Sequence, residues 1–343
     1  MTQGRIRIDG KFLWYDIWKG VSTERLRDND IDEFLLDDLH KAKLTTDDIK
    51  TYTWIVNTES EGHSANDIEN FRKLLLTYGL PSTNFGAIFT AYEDTEKLCY
   101  PAVCLTDKMI YNTRWYRHLQ NQNVDWANLS MNATFTVLMR RASIMRCQLA
   151  KRLLQKFEPY HMIMTLGTTP GIDANQYKDA IHPYSYPIIV DHKEVNEEQH
   201  NPKHELFYNA PIQLVVESSD QTDIGVWRNI FITEKSYKAF AWHQFPLWYA
   251  VPGLVSKLRD VGFDLFDDII NHSYDNEQNT WTRMIAVVQE MQNLVRKGCK
   301  DLRQEHWQRL ESNARLVDQI HTNARIEHQK QTNRLINELQ LIH

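Results

Sequence analysis

Apolar residues recur along the chain with two periods. Residues 52–56, Tyr-Thr-Trp-Ile-Val, form a short run rich in aromatic and β-branched side chains, which predicts a buried strand. Ser64-Ala65-Asn66-Asp67 then offers a helix cap. Ile68, Phe71, Leu74, Leu75 and Tyr78 follow at helical spacing until Gly79 and Pro81 stop the run. Further strands are expected at 85–90 and 102–105, and a short helix at 112–120.

A second series of the same kind opens with a strand at 134–138, a basic turn at Arg140-Arg141 and a helix over 144–157. Strands are predicted at 161–166, 188–190 and 212–216, with a polar surface loop at 191–204. Thr233 caps a helix reaching residue 243, a strand follows at 245–249, and a helix opens at Pro252. Strands alternating with helices favour parallel sheets covered on both faces. From Trp281 the pattern is helical throughout: Met284, Val287, Val288, Met291 and Leu294 share a face. Residues 300–343 read as one or two long polar helices with an intermittent stripe at Leu302, Leu310, Val317 and Ile320. A strict heptad fails at Gln331. The first reading is a helix packed across the two lobes, with a partner-binding arm or self-association as the alternative use; because the segment follows the last motif-bearing element, deleting it is expected to leave a folded core.

Composition narrows the picture little. A chain of 343 residues has room for about two domains, and 42% hydrophobic content supports real cores. The net charge of -6 gives no overall grip on nucleic acid. Four cysteines without a CxxC pair, and no apolar stretch near the ~20 residues of a membrane span, favour a reduced cytoplasmic setting without a membrane.

The segment Thr233-Glu234-Lys235-Ser236-Tyr237-Lys238 carries the most chemistry. Lys235 falls in a helix's first turn, where the dipole disfavours a cation, so a nearby anion is expected. A phosphate would meet the first-turn N–H groups and Lys235 together. Glu234 is placed to accept hydrogen bonds from a ribose. The same hexapeptide also suits the start of an ordinary exposed helix.

Three ordered pieces, residues 212–219 ending in Glu217-Ser218-Ser219, then Phe231-Ile232-Thr233-Glu234-Lys235, then Pro246 and Val251-Pro252-Gly253, resemble the C-terminal lobe of the α1,3-fucosyltransferases and their phage and bacterial relatives. Residues 258–263 and 266–275 are similar to the phage-type branch, and residues 138–146 resemble its arginine turn. Ser218 and Met139 depart from the family, each standing where it carries Asn. The resemblance implies an α/β fold of two Rossmann-like lobes, the GT-B kind, with an acceptor-side lobe at 1–130, a nucleotide-sugar lobe at 131–280 and a helical C-terminal extension at 281–343.

By that resemblance Arg146 and Lys235 hold the donor diphosphate and Glu234 the ribose, with Arg141, Glu217, Thr233 and Lys238 completing the donor set. Glu59 or Glu61, in a segment that resembles the family's acceptor-side Glu-Ser, is the expected catalytic base, with His63 an alternative. No Asp-x-Asp follows a strand in position to bind a metal, so fixed cations are expected to stabilise the leaving diphosphate without a metal or other cofactor. The expected partners are a nucleotide-sugar and an acceptor carbohydrate or hydroxymethylated DNA base. The other reading is a non-enzymatic interaction protein.

Overall fold

The computed structural model describes residues 5–17, 31–58, 65–89, 98–105, 125, 129, 133–139, 142–167, 177–184, 188, 209–217, 230, 232–299 and 301–341. The chain divides into two compact units. One comprises Met1–Met109, Gly225–Phe231 and Thr322–His343; the other comprises Ile110–Ile224 and Ile232–His321. The predicted 112–120 helix lies outside the described residues.

The first unit opens with a hairpin the hydrophobic pattern did not announce: β1 (Ile6–Asp9) runs antiparallel to β2 (Phe12–Asp16). Gly10 supplies the turn with a φ of 59°, a left-handed backbone that a two-residue hairpin loop requires. Next come α1 (Ile31–Lys41), which was also not anticipated, then β3 (Thr53–Asn57), α2 (Ala65–Thr77), β4 (Phe85–Phe89) and β5 (Ala102–Cys104). The sheet order is β1-β2-β3-β4-β5, and β2 to β5 are parallel.

A sheet that grows in one direction through right-handed crossovers receives its helices on one face. Leu35 and Leu39 of α1 and Phe71 and Leu75 of α2 accordingly share a core with Leu13, Tyr15, Trp54, Val56 and Phe85, and Tyr15 stacks on Phe71 at 5.2 Å. The other face needs cover from elsewhere. Phe12, Ile55, Ile88 and Val103 are closed over by Leu335 and Leu339, two leucines from the end of the chain. Gly86 makes this approach feasible, because a Cβ there would stand 3.0 Å from Leu339 Cδ1 and 3.2 Å from Leu335 Cδ1.

The second unit contains β6 (Phe135–Met139), α3 (Ile144–Lys156), β7 (Met162–Leu166), α4 (Lys178–Ile181), β8 (Ile212–Val216), α5 (Glu234–Ala241), β9 (Phe245–Tyr249) and α6 (Leu254–Val261). Its strands are parallel in the order β7-β6-β8-β9. Every residue of β8 and β9 is buried, which suits strands covered on both faces. Phe157, just past α3, packs on Phe135 on one face, while Phe240 of α5 packs on Trp248 on the other. Ile188, predicted to open a strand, makes only an isolated antiparallel bridge to Leu166.

Three helices close the chain: α7 (Thr280–Lys297), α8 (Leu302–Glu305) and α9 (Trp307–Leu341). Asn279 caps α7 through its side chain, and Gly298 ends it at a φ of 82°. The helical segment 281–343 is divided between the two units. Residues up to His321 belong to the second unit and the remainder to the first. Leu310 and Val317 of α9 are buried in the former, and Ala324, Leu335 and Leu339 in the latter. Of the stripe read from the sequence, Leu310 and Val317 are buried on α9, Ile320 is half-buried, and Leu302 belongs to α8. Among the described residues no helix is long and apolar enough to cross a membrane.

Candidate functional site

In the second sheet, the chain leaves β6 for β7 on one side and reaches β8 and then β9 on the other. The strand order therefore reverses between β6 and β8. Open α/β sheets offer a crevice at such a reversal, outside the C-terminal ends of the strands. Both flanking helices, α3 and α5, begin at that edge. Ser143 caps α3, its hydroxyl accepting from Arg146 N at 3.2 Å, and Thr233 caps α5, accepting from Lys235 N at 3.3 Å. Both caps are neutral, so neither cancels the positive end of its helix.

Glu217, the residue after β8, joins the two helix starts. Its carbonyl accepts from Arg146 Nη2 at 2.8 Å, fastening the first turn of α3 to the end of the strand. Its carboxylate accepts from the Thr233 backbone N–H at 3.2 Å, from the Thr233 hydroxyl, and from Ser236 Oγ at 2.7 Å. Ser236 in turn accepts from Trp248 Nε1 at 3.0 Å. Lys235 Nζ lies 3.8 Å from the carboxylate and 3.3 Å from Thr233 Oγ1. A fully buried carboxylate is costly unless hydrogen-bonded throughout, and this one holds β8, α5 and β9 in one network.

The residues predicted for a donor site thus divide into two layers. Arg146, Glu217 and Thr233 are buried; Glu234, Lys235 and Lys238 are half-exposed on the first turns of α5. Glu217 and Thr233, in the buried layer, set the geometry of the helix start. The first-turn cation also has an internal counter-charge in Glu217, which answers part of the electrostatic mismatch read from the sequence. Arg141, Glu59, Glu61 and His63 lie outside the described residues. Ser236 and Trp248 were not anticipated as members of the network; Ser236 lay inside the signature hexapeptide, but its partners are distant in sequence.

A third helix, α6, starts at the same edge, after β9. Its end is already neutralised, because the buried Asp275 carboxylate accepts from Val255 N at 3.2 Å and Ser256 N at 3.1 Å. Burial pushes this carboxyl up, against the pull of those backbone bonds. Beside it a cavity of about 400 Å³ is lined by Ser256, Arg259, Asp267, His272 and Asp275. The Arg259 guanidinium is committed to Asp267 through two hydrogen bonds of 3.1 and 2.9 Å. His272 bonds the Tyr274 hydroxyl at 2.8 Å and the Leu265 carbonyl at 2.9 Å, and burial holds its imidazole below the ordinary value. The α6 end therefore carries a buried anion, the α5 end carries Lys235 beside the Glu217 carboxylate, and the α3 end carries Arg146.

No protein-family model, curated protein or solved structure matches the chain.

Proposed function

We propose that the chain is an inverting glycosyltransferase of the GT-B kind that moves a sugar from a nucleoside-diphosphate donor to an acceptor hydroxyl, independently of metal. The observation that carries this reading is the pair of cations, Arg146 and Lys235, in the first turns of the two helices that flank the strand-order reversal, linked through Glu217. A diphosphate at that edge meets the N-terminus of α3, whose first turn carries no acidic residue, together with Lys235 on α5. Arg146, buried behind, adds fixed positive charge. Glu234, half-exposed beside Lys235, is the group for the ribose hydroxyls. As the anomeric carbon–oxygen bond breaks, negative charge grows on the departing diphosphate, and cations already in place stabilise it without reorganising. The ordered motifs around residues 212–253 that resemble the fucosyltransferases support the same reading.

Titration of nucleoside, monophosphate and diphosphate against two variants tests it. Lys235→Ala removes a charge-assisted hydrogen bond of about 1.5–3 kcal/mol, so diphosphate affinity is expected to fall roughly ten- to a hundred-fold while nucleoside affinity stays unchanged. Glu234→Ala is expected to weaken all three ligands. A Lys235→Ala protein that binds diphosphate as tightly as the wild type sinks the assignment. Turnover that disappears in EDTA and returns with manganese sinks metal independence.

A further inference from the structure

The cavity at the start of α6 lies wholly within the second unit, walled by α6 and by residues 267–276. Its volume of about 400 Å³ falls within the range of roughly 300–1,000 Å³ in which small ligands are held. The floor is fixed from below. His272 Nε2 lies 2.9 Å from the Leu265 carbonyl, which can only accept, so that nitrogen donates. Nδ1 then accepts from the Tyr274 hydroxyl, which itself accepts from Trp248 N at 3.2 Å. The imidazole is uncharged in this chain of bonds, in keeping with its burial.

Asp275 is the buried acid of the floor. Its carbonyl accepts from Gly253 N at 3.0 Å, so its backbone is tied to the turn before α6. Each carboxylate oxygen accepts one backbone N–H, from Val255 and from Ser256, whereas a carboxylate offers about four lone-pair sites. A serine or asparagine caps a helix without burying a charge. The carboxylate therefore brings more acceptor capacity to the cavity than the helix end uses, and a hydroxyl is its complement.

The charges of the lining disfavour ions of either sign. Asp267 and Asp275 repel an anion, and Arg259 opposes a cation. The Arg259 guanidinium binds Asp267 through Nε and Nη2 and makes no hydrogen bond through Nη1 among the described residues. Ser256 and Asn276 add an exposed hydroxyl and an exposed amide, while Val255 and Ile270 add apolar wall. Donors, acceptors and apolar surface around a cavity of mixed charge suit a neutral ligand that carries hydroxyls on a hydrocarbon ring.

We infer that this cavity binds a neutral saccharide, with Asp275 accepting from its hydroxyls and Arg259 donating to them. The inference goes beyond the donor reading and does not depend on it, since no phosphate group is involved.

The test titrates the full chain by calorimetry with glucose, galactose, fucose, lactose and maltose, and with inorganic phosphate and putrescine as ionic controls. The monosaccharide and disaccharide arms distinguish a free sugar from the end of a glycan. Saturable binding of a saccharide is expected, weakened about ten- to a hundred-fold by Arg259→Ala and abolished by Ser256→Trp, which fills the cavity. Asn276→Ala, at an exposed side chain off the helix, is expected to cost about two- to tenfold and keeps the test readable if Ser256→Trp disturbs α6. Lys235→Ala is expected to leave saccharide affinity unchanged. A wild-type protein that takes up none of these saccharides, or binds only phosphate or putrescine, overturns the site. So does saccharide affinity that survives all three cavity variants, or that disappears in Lys235→Ala, which would place the sugar at the donor edge. Saccharide binding by a protein that ignores nucleoside diphosphates leaves this site standing while the donor reading fails.

Discussion

Both units repeat a strand-turn-helix pattern, yet their strands are ordered differently: β1-β2-β3-β4-β5 in the first and β7-β6-β8-β9 in the second. A sheet that grows one way gathers its crossover helices on one face; a sheet that reverses places them on both and opens a crevice at the reversal. The first unit consequently depends on the distant end of α9 for its second face. The second unit covers itself with α3 and α5, whose N-termini come to flank the point where Glu217, Arg146 and Lys235 meet. Direction of sheet growth, more than composition, separates the unit that borrows a helix from the unit that builds a charged edge.

The most damaging way to break this contrast is to remove the borrowed cover. Leu335→Ala with Leu339→Ala deletes two fully buried side chains, each worth about 2–5 kcal/mol. Hydrogen exchange is expected to lose protection across β2 to β5 while β6 to β9 keep theirs. Equal loss in both units would show that they do not respond separately. Gly86→Val is expected to act in the same direction, because its first added carbon meets both leucines.

In the second unit the corresponding break is Glu217→Ala, which strips the buried network of its acceptor. A loss of about 1–3 kcal/mol in urea unfolding is expected, the range for leaving buried donors, here Thr233 and Ser236, without their acceptor. A loss below about 1 kcal/mol would mean that α5 holds its place without the carboxylate.

The smallest effect is a pH dependence. Burial depresses the His272 imidazole from its ordinary value of 6.5, so below that pH the unfolded chain takes up a proton that the folded one refuses. Stability is then level above pH 6.5 and falls as pH drops from 6.5 toward the depressed folded value, by no more than about 1.4 kcal/mol per pH unit for this one group. His243, also depressed mainly by burial, adds to the slope in the same window. Denaturant titrations between pH 7 and 5 are expected to show a shallower slope in His272→Gln than in the wild type; an unchanged slope would remove His272 from the linkage.

Much of the second unit was legible in the sequence. The runs at β8 and β9 consist of residues buried on both faces, β6 is buried at all but Leu138, and Thr233 caps α5 from the adjacent position. Both signals are local. The β1-β2 hairpin was not read although Ile6 and Ile8 alternate with Arg7 and Asp9, and three of the four β1 residues are exposed, so the alternation marks no buried face. The division of the residues predicted for a donor site into buried and half-exposed layers was not legible, since Glu217 meets Thr233 and Ser236 across 16 and 19 positions and Arg146 across 71.

The sequence alone determined where helices and strands form and where many of them stop, because hydrophobic period, caps and left-handed glycines act within a few residues. Tertiary structure decided which strand lies beside which, which face α9 covers, and which polar side chains share a network. Those outcomes depend on burying complete faces against partners tens to hundreds of positions away, and short-range periodicity carries no record of them.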